Sequence, residues 1–172
     1  EIFFIIYGDW MERSFGLALT SLGLASGVIG GAEISGELLA GGLVDRFGKR
    51  RVVIVAGILN AAAYALMPLV GRTLPLALAA LVVLFIFFEI TVVGGVPLLT
   101  EIVPSARSVV MSMVLGAGSL GRAVGALAGP AIEQWGGFAA NGLAAAGLAL
   151  VAIGVLVLGV REATEATERS EV

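Results

Sequence analysis

The sequence contains no cysteine and no histidine. The first absence excludes disulfides, thiolate metal sites and a cysteine nucleophile. The second removes the commonest metal ligand and the side chain whose ordinary pKa lies nearest neutrality. Any proton this chain carries in its work must therefore ride on a carboxylate. Charge is scarce as well: only 13% of the 172 residues are Asp, Glu, Lys or Arg, about half the share usual in a soluble domain. The net charge of -3 says little about partners, because four of the thirteen acids fall in the last eleven residues and others interrupt apolar runs. No basic surface points to nucleic acid. With no metal cluster, no nucleophile beside a base and no cofactor loop legible, neither an enzyme nor a cofactor is expected.

What the chain has in abundance is apolar surface, with 59% hydrophobic residues and a mean hydropathy of +1.06. It reads as an all-α polytopic membrane protein. Glu1 stands inside an apolar run, without an initiator Met or the basic start of a signal peptide, and a fragment of something longer is expected. Residues 1–7 predict the stub of a helix and residues 8–14 a polar stretch, with Tyr7, Trp10 and Phe15 suited to an interfacial aromatic belt. Five full spans follow, at about 15–44, 52–71, 74–100, 108–133 and 138–160. Pro75 and Pro97 sit near the ends of the third, where helices tolerate proline best. Together with the stub these make one transmembrane half-domain over 1–160, ending in a polar cytoplasmic tail at 161–172.

Between the first two full spans lies Gly41-Gly42-Leu43-Val44-Asp45-Arg46-Phe47-Gly48-Lys49-Arg50-Arg51. Two apolar runs flank it closely, so it must be a tight connection at a membrane surface, and its four cations place that surface in the cytoplasm. The same threading puts Arg107, Arg161 and Arg169 on the cytoplasmic side, leaves Arg13 and Arg72 opposite, and buries Arg122 in the membrane. A multi-pass protein of the cell (inner) membrane with a cytoplasmic C-terminus is expected. The pattern Gly41-x-x-x-Asp45-Arg46-Phe47-Gly48 returns as Gly129-x-x-x-Glu133-Gln134-Trp135-Gly136 on the opposite face. That is the mark of inverted three-helix repeats, an architecture of transporters.

Gly41-x-Leu43-x-Asp45-Arg46-x-Gly48-Lys49-Arg50 resembles the loop motif of the major facilitator superfamily, in the copy between helices 8 and 9. Glu101-x-x-Pro104-x-x-Arg107 is similar to that family's loop between helices 10 and 11, and the Gly/Ala-rich stretch from Gly116 to Gly125 resembles bacterial drug and sugar efflux permeases. The resemblance covers the whole chain, with the stub as the end of helix 7 and the spans as helices 8 to 12. It implies the C-terminal half of such a fold, whose partner is the missing N-terminal six-helix half. It also implies a cytoplasmic gate latch made by Gly41, Asp45, Arg46, Gly48, Lys49, Arg50, Arg51, Glu101 and Arg107, in which the cations pair with Glu101 and with the other half.

Helical rise places Glu33 about 18 Å from Asp45, Glu89 about 18 Å from Glu101 and Arg122 about 22 Å from Arg107, so all three lie at similar, near-central depth. A lone charge there costs a few kcal/mol, so each needs a partner or water. By resemblance their helices line the family's central cavity. Arg122 is expected to pair with Glu33 or Glu89, leaving the other carboxylate for a proton or a cationic substrate. Glu37 is one turn from Glu33 on the same face. The competing reading is a set of polar contacts between helices with no part in turnover. Asn60 and Tyr64 suit such contacts, and Gly27, Gly30, Gly31, Gly116, Gly118, Gly121 and Gly125 suit close helix packing. The function expected is secondary active transport by alternating access, as a proton-coupled antiporter exporting a small-molecule organic solute across the lipid bilayer. The alternatives are a proton-coupled uptake symporter and a non-transporting membrane scaffold subunit.

Overall fold

The computed structural model describes residues 1–159, so the expected tail at 161–172 and the last residue of the fifth span lie outside the described residues. Every regular element among the described residues is a helix: α1 (Tyr7–Phe15), α2 (Leu19–Phe47), α3 (Lys49–Val70), α4 (Leu74–Thr100), a 3-10 turn at Pro104–Ala106, and α5 (Arg107–Gly159). Helices α2 to α5 are long and apolar enough to cross a bilayer. The longest, α5, is broken at Gly137, with φ 66° and ψ -170°, a conformation open only to glycine. Residues 117–125 before that break and 145–153 after it line one common cavity, so the chain doubles back there. The five apolar runs of the sequence thus lie on α2, α3, α4 and the two arms of α5 on either side of Gly137. The separator expected at 134–137 narrows to one residue, because Gln134, Trp135 and Gly136 stay helical.

Local chemistry explains the other turns. Gly48 ends α2 with φ 82°, its N–H donating to the Val44 carbonyl at 3.0 Å, and α3 begins at the next residue. A Cβ would be strained in that conformation. Pro75 opens α4, where its missing N–H matters least, and Pro97 falls in the last turn. Pro68, inside α3, deprives the Tyr64 carbonyl of its helical donor.

α4 is the centre of the bundle. Both α2 and α3 pack chiefly on α4 and barely on each other, while α5 packs mainly on α3. Leu81, Leu84 and Phe85 of α4 are buried against Ala25, Ile29 and Ala32 of α2 and Ala61, Tyr64 and Met67 of α3. Lipid is as apolar as these side chains, so the gain here comes from close van der Waals fit more than from escape from water.

The polar stretch at 8–14 is helical, as α1, with Arg13 paired to Asp9 at 3.0 Å one turn away. Its aromatics belong to the bundle. Trp10 stacks flat on Phe138 at 4.1 Å and Tyr7 meets Phe85 edge-on at 6.1 Å. Residues 2–6 precede α1 as turns in which the Ile5 N–H bonds the Glu1 carbonyl and the Ile6 N–H the Phe3 carbonyl.

Candidate functional site

Glu33 of α2, Glu89 of α4 and Arg122 of α5 come together around one open cavity of about 670 Å³, with Glu1 at its edge. One wall is aromatic, made of Phe4, Tyr7, Phe85 and Phe88. Phe4 lies 4.9 Å from the Phe85 ring and 4.9 Å from the Phe88 ring. The rest of the lining is small, with Ser26 and Gly30 of α2 and Gly118 and Gly121 of α5.

The carboxylates face one another because α2 lies directly on α4 at Gly36. A Cβ on Gly36 would stand 2.8 Å from the Glu89 Cβ and 2.8 Å from the Ile86 carbonyl oxygen. Gly36 is missing from the glycines singled out above, yet a signal was present: Ala32, Gly36 and Ala40 recur every four residues and all three are buried, the small-residue spacing of membrane helix contacts. The glycines expected to pack closely do otherwise. Gly27, Gly30, Gly31, Gly116, Gly118 and Gly121 have open space where a Cβ would stand, and only Gly125 meets a neighbour, Glu1.

Arg122 also differs from expectation. Its Nε pairs with the Glu1 carboxylate at 3.3 Å, and its side chain is 76% exposed. The cavity separates this arm of α5 from α2 and α4, whereas Glu1 sits on α5 at Gly125. Glu33 and Glu89 therefore make no ion pair among the described residues. Glu37 is exposed on α2 and does not line the cavity.

At the other end of the helices, Lys49 Nζ donates to both oxygens of Glu101, at 2.5 and 2.6 Å, tying the start of α3 to the end of α4. Arg50 Nη2 donates to the Val157 carbonyl at 3.0 Å, reaching the returning arm of α5. Arg46 lies 5.3 Å over the Phe47 ring. Asp45, Arg51 and Arg107 are exposed and form no ion pair among the described residues. Asp45 stands in the last turn of α2, where the helix dipole disfavours an acid, so the chain's own contacts give it no stabilising role. Gly41 is open to its surroundings.

Two residues on the packed side complete the polar inventory. Asn60 Nδ2 donates to the Leu84 carbonyl at 2.9 Å, joining α3 to α4. Asn141 is fully buried and both its amide atoms lack a hydrogen-bond partner.

A model of the family described as Major Facilitator Superfamily matches residues 1–172. Comparisons with curated proteins and with solved structures found no match.

Proposed function

The chain belongs to the major facilitator superfamily of membrane transporters, and from that premise we propose that it serves secondary active transport by alternating access, as proton-coupled efflux of a small organic solute. The observation that carries the reading is the shared cavity of Glu33, Glu89 and Arg122. Three membrane helices each bring a charge to it. Such an arrangement is costly unless water or a ligand enters.

The balance of charge favours a cationic solute. Glu1 already engages Arg122, so Glu33 and Glu89 remain as an acidic pair beside four aromatic rings. Carboxylates attract a cation, and ring faces hold its organic part by dispersion and cation–π attraction. A proton arriving on Glu89 cancels the charge that holds the solute and releases it; loss of that proton on the other side restores the site. Exchange of solute for proton follows from competition for one carboxylate.

The cavity opens sideways, past the exposed arm of α5, and a second helical half in the place of the expected N-terminal six-helix unit would close it. The Lys49–Glu101 pair and the exposed Asp45, Arg46, Arg51 and Arg107 are assigned to the cytoplasmic latch between the halves, with the positive-inside bias setting the orientation in the cell membrane.

The test is flux in proteoliposomes containing a trapped pH dye, with tetraphenylphosphonium as the organic cation. An imposed proton gradient should drive its counter-movement. Glu89→Gln should cut that flux about tenfold or more, and Glu89→Asp should retain part of it. Co-movement of proton and solute would instead favour an uptake symporter. If native and Glu89→Gln proteins alike give no flux, the scaffold alternative takes over.

A further inference from the structure

Lys49, Arg50 and Arg51 fill the first turn of α3, and no acid stands among them. The helix dipole favours negative charge at that end and disfavours cations, so the turn needs counter-charge from elsewhere. Glu101 supplies it to Lys49. Arg50 points another way: its Nη2 donates to the Val157 carbonyl at 3.0 Å. Val157 stands two residues before Gly159, the last described position. A guanidinium is therefore fixed beside the point from which the chain runs on to residue 172. With five N–H donors in a planar fork, it can hold a carbonyl on one side and a carboxylate on the other.

The sequence that follows is acidic at a regular interval. Glu162, Glu165, Glu168 and Glu171 recur at every third position, against only Arg161 and Arg169. Glu162 comes five residues after Val157, so fully extended chain carries it at most about 18 Å from the carbonyl that Arg50 already holds. A tether this short gives the tail carboxylates an effective concentration on the order of millimolar at Arg50. An exposed ion pair is weak alone, and the tether is what lets it form. We propose that the acidic segment 162–171, which lies outside the described residues, docks on the start of α3 with Glu162 or Glu165 on Arg50. The chain thereby supplies its own counter-charge to the most cationic turn of the bundle. The contact is made within this chain, and it requires neither the second half nor the transport cavity.

Because the chain has no cysteine, a nitroxide on Ala163→Cys reports the tail alone, in the whole chain reconstituted in phosphatidylcholine bilayers. The label should be immobile at low salt and freed at 1 M salt, where the screening length falls to about 3 Å. Arg50→Gln should lower the ratio of immobile to mobile label about fivefold, the equivalent of about 1 kcal/mol for one exposed pair. Glu162→Gln with Glu165→Gln should do the same, and it leaves the Arg50 contact with Val157 in place should Arg50→Gln disturb the fold. Arg107→Gln should leave the ratio unchanged. A label mobile at low salt would overturn the proposal. So would an immobile label that ignores salt and the tail variants, which would mean that the tail is held by other contacts. An Arg107→Gln effect as large as that of Arg50→Gln would signify general surface charge and would overturn it too. Mobility is read without solute or flux, so failure here is independent of whether the cavity transports a cation.

Discussion

The two arms of α5 are both rich in glycine and alanine and have opposite surroundings. From residue 107 to residue 124, before the reversal at Gly137, almost every side chain is exposed, and Gly116, Gly118 and Gly121 border open space. After it, residues 138–159 lie against α3. Gly142 is so close that a Cβ would stand 2.6 Å from the Tyr64 carbonyl oxygen, and a Cβ on Gly57 of α3 would meet the Ile153 Cδ1. Glycine therefore does two jobs along α5. At Gly142 it lets backbones touch, over the carbonyl that Pro68 has freed. At Gly118 and Gly121 it keeps a cavity wall smooth.

The strongest way to break that contrast is to add the same side chain to both arms. Gly142→Leu forces a side chain onto backbone, which cannot yield as a rotamer can, and should destabilise the protein by about 1–3 kcal/mol. Gly118→Leu enters open space and should change stability by no more than about 0.5 kcal/mol, while narrowing the cavity and slowing flux. Thermal melting in detergent compares the two. Equal melting shifts would mean that the leading arm is packed too.

A smaller effect sharpens the picture of the packed side. Asn60 holds a hydrogen bond across α3 and α4, whereas Asn141 is buried with none. Asn60→Leu should lower stability by about 0.6 kcal/mol, the average for such bonds within a membrane. Asn141→Leu removes an unsatisfied amide and should hold stability level or raise it by about 1 kcal/mol. If Asn141→Leu destabilises instead, that amide has a partner in the native membrane.

These differences also mark what could be read from the chain in advance. Span positions were legible in outline: an apolar run expected at about 74–100 lies where α4 runs, and helical rise matched Glu33, Glu89 and Arg122 in level, where the structure sets them around one cavity. Rotation and neighbours were not. Hydropathy reports how far a residue lies from the surface, but not which helix stands beside it, so Arg122 was matched with Glu33 or Glu89 when Glu1 is nearer. For the same reason Gly36 went unnoticed among many glycines, and the polar stretch at 8–14 carried no expectation of a helix. That helix is amphipathic, with Met11 fully buried and Glu12, Arg13 and Ser14 exposed. The turn at Gly48 was legible because a glycine between an acid and a run of cations has few other uses. At the matching echo the positive φ falls on Gly137, one place beyond the Gly136 that the pattern aligned with Gly48.

The smallest effect concerns the helix ends at Lys49 and Glu101, where packed and open regions meet. Lys49 and Glu101 are 33% and 45% exposed, so water screens their attraction and the pair should contribute less than about 1 kcal/mol to stability. Lys49→Ala should therefore scarcely move the melting temperature. Its expected consequence is conformational. The pair bridges α3 to α4, whereas Asp45, Arg51 and Arg107 are exposed, so removing it should change how this end of the bundle closes, read as altered labelling of a cysteine placed at Gly41. The exchange Lys49→Glu with Glu101→Lys separates the pair from its individual charges, since net charge is kept and the bridge re-formed with reversed sign. Restored labelling would make the bridge itself the latch. Labelling that stays altered in the exchange would mean that each charge acts on a different neighbour, so that the bridge as such does not set how this end closes.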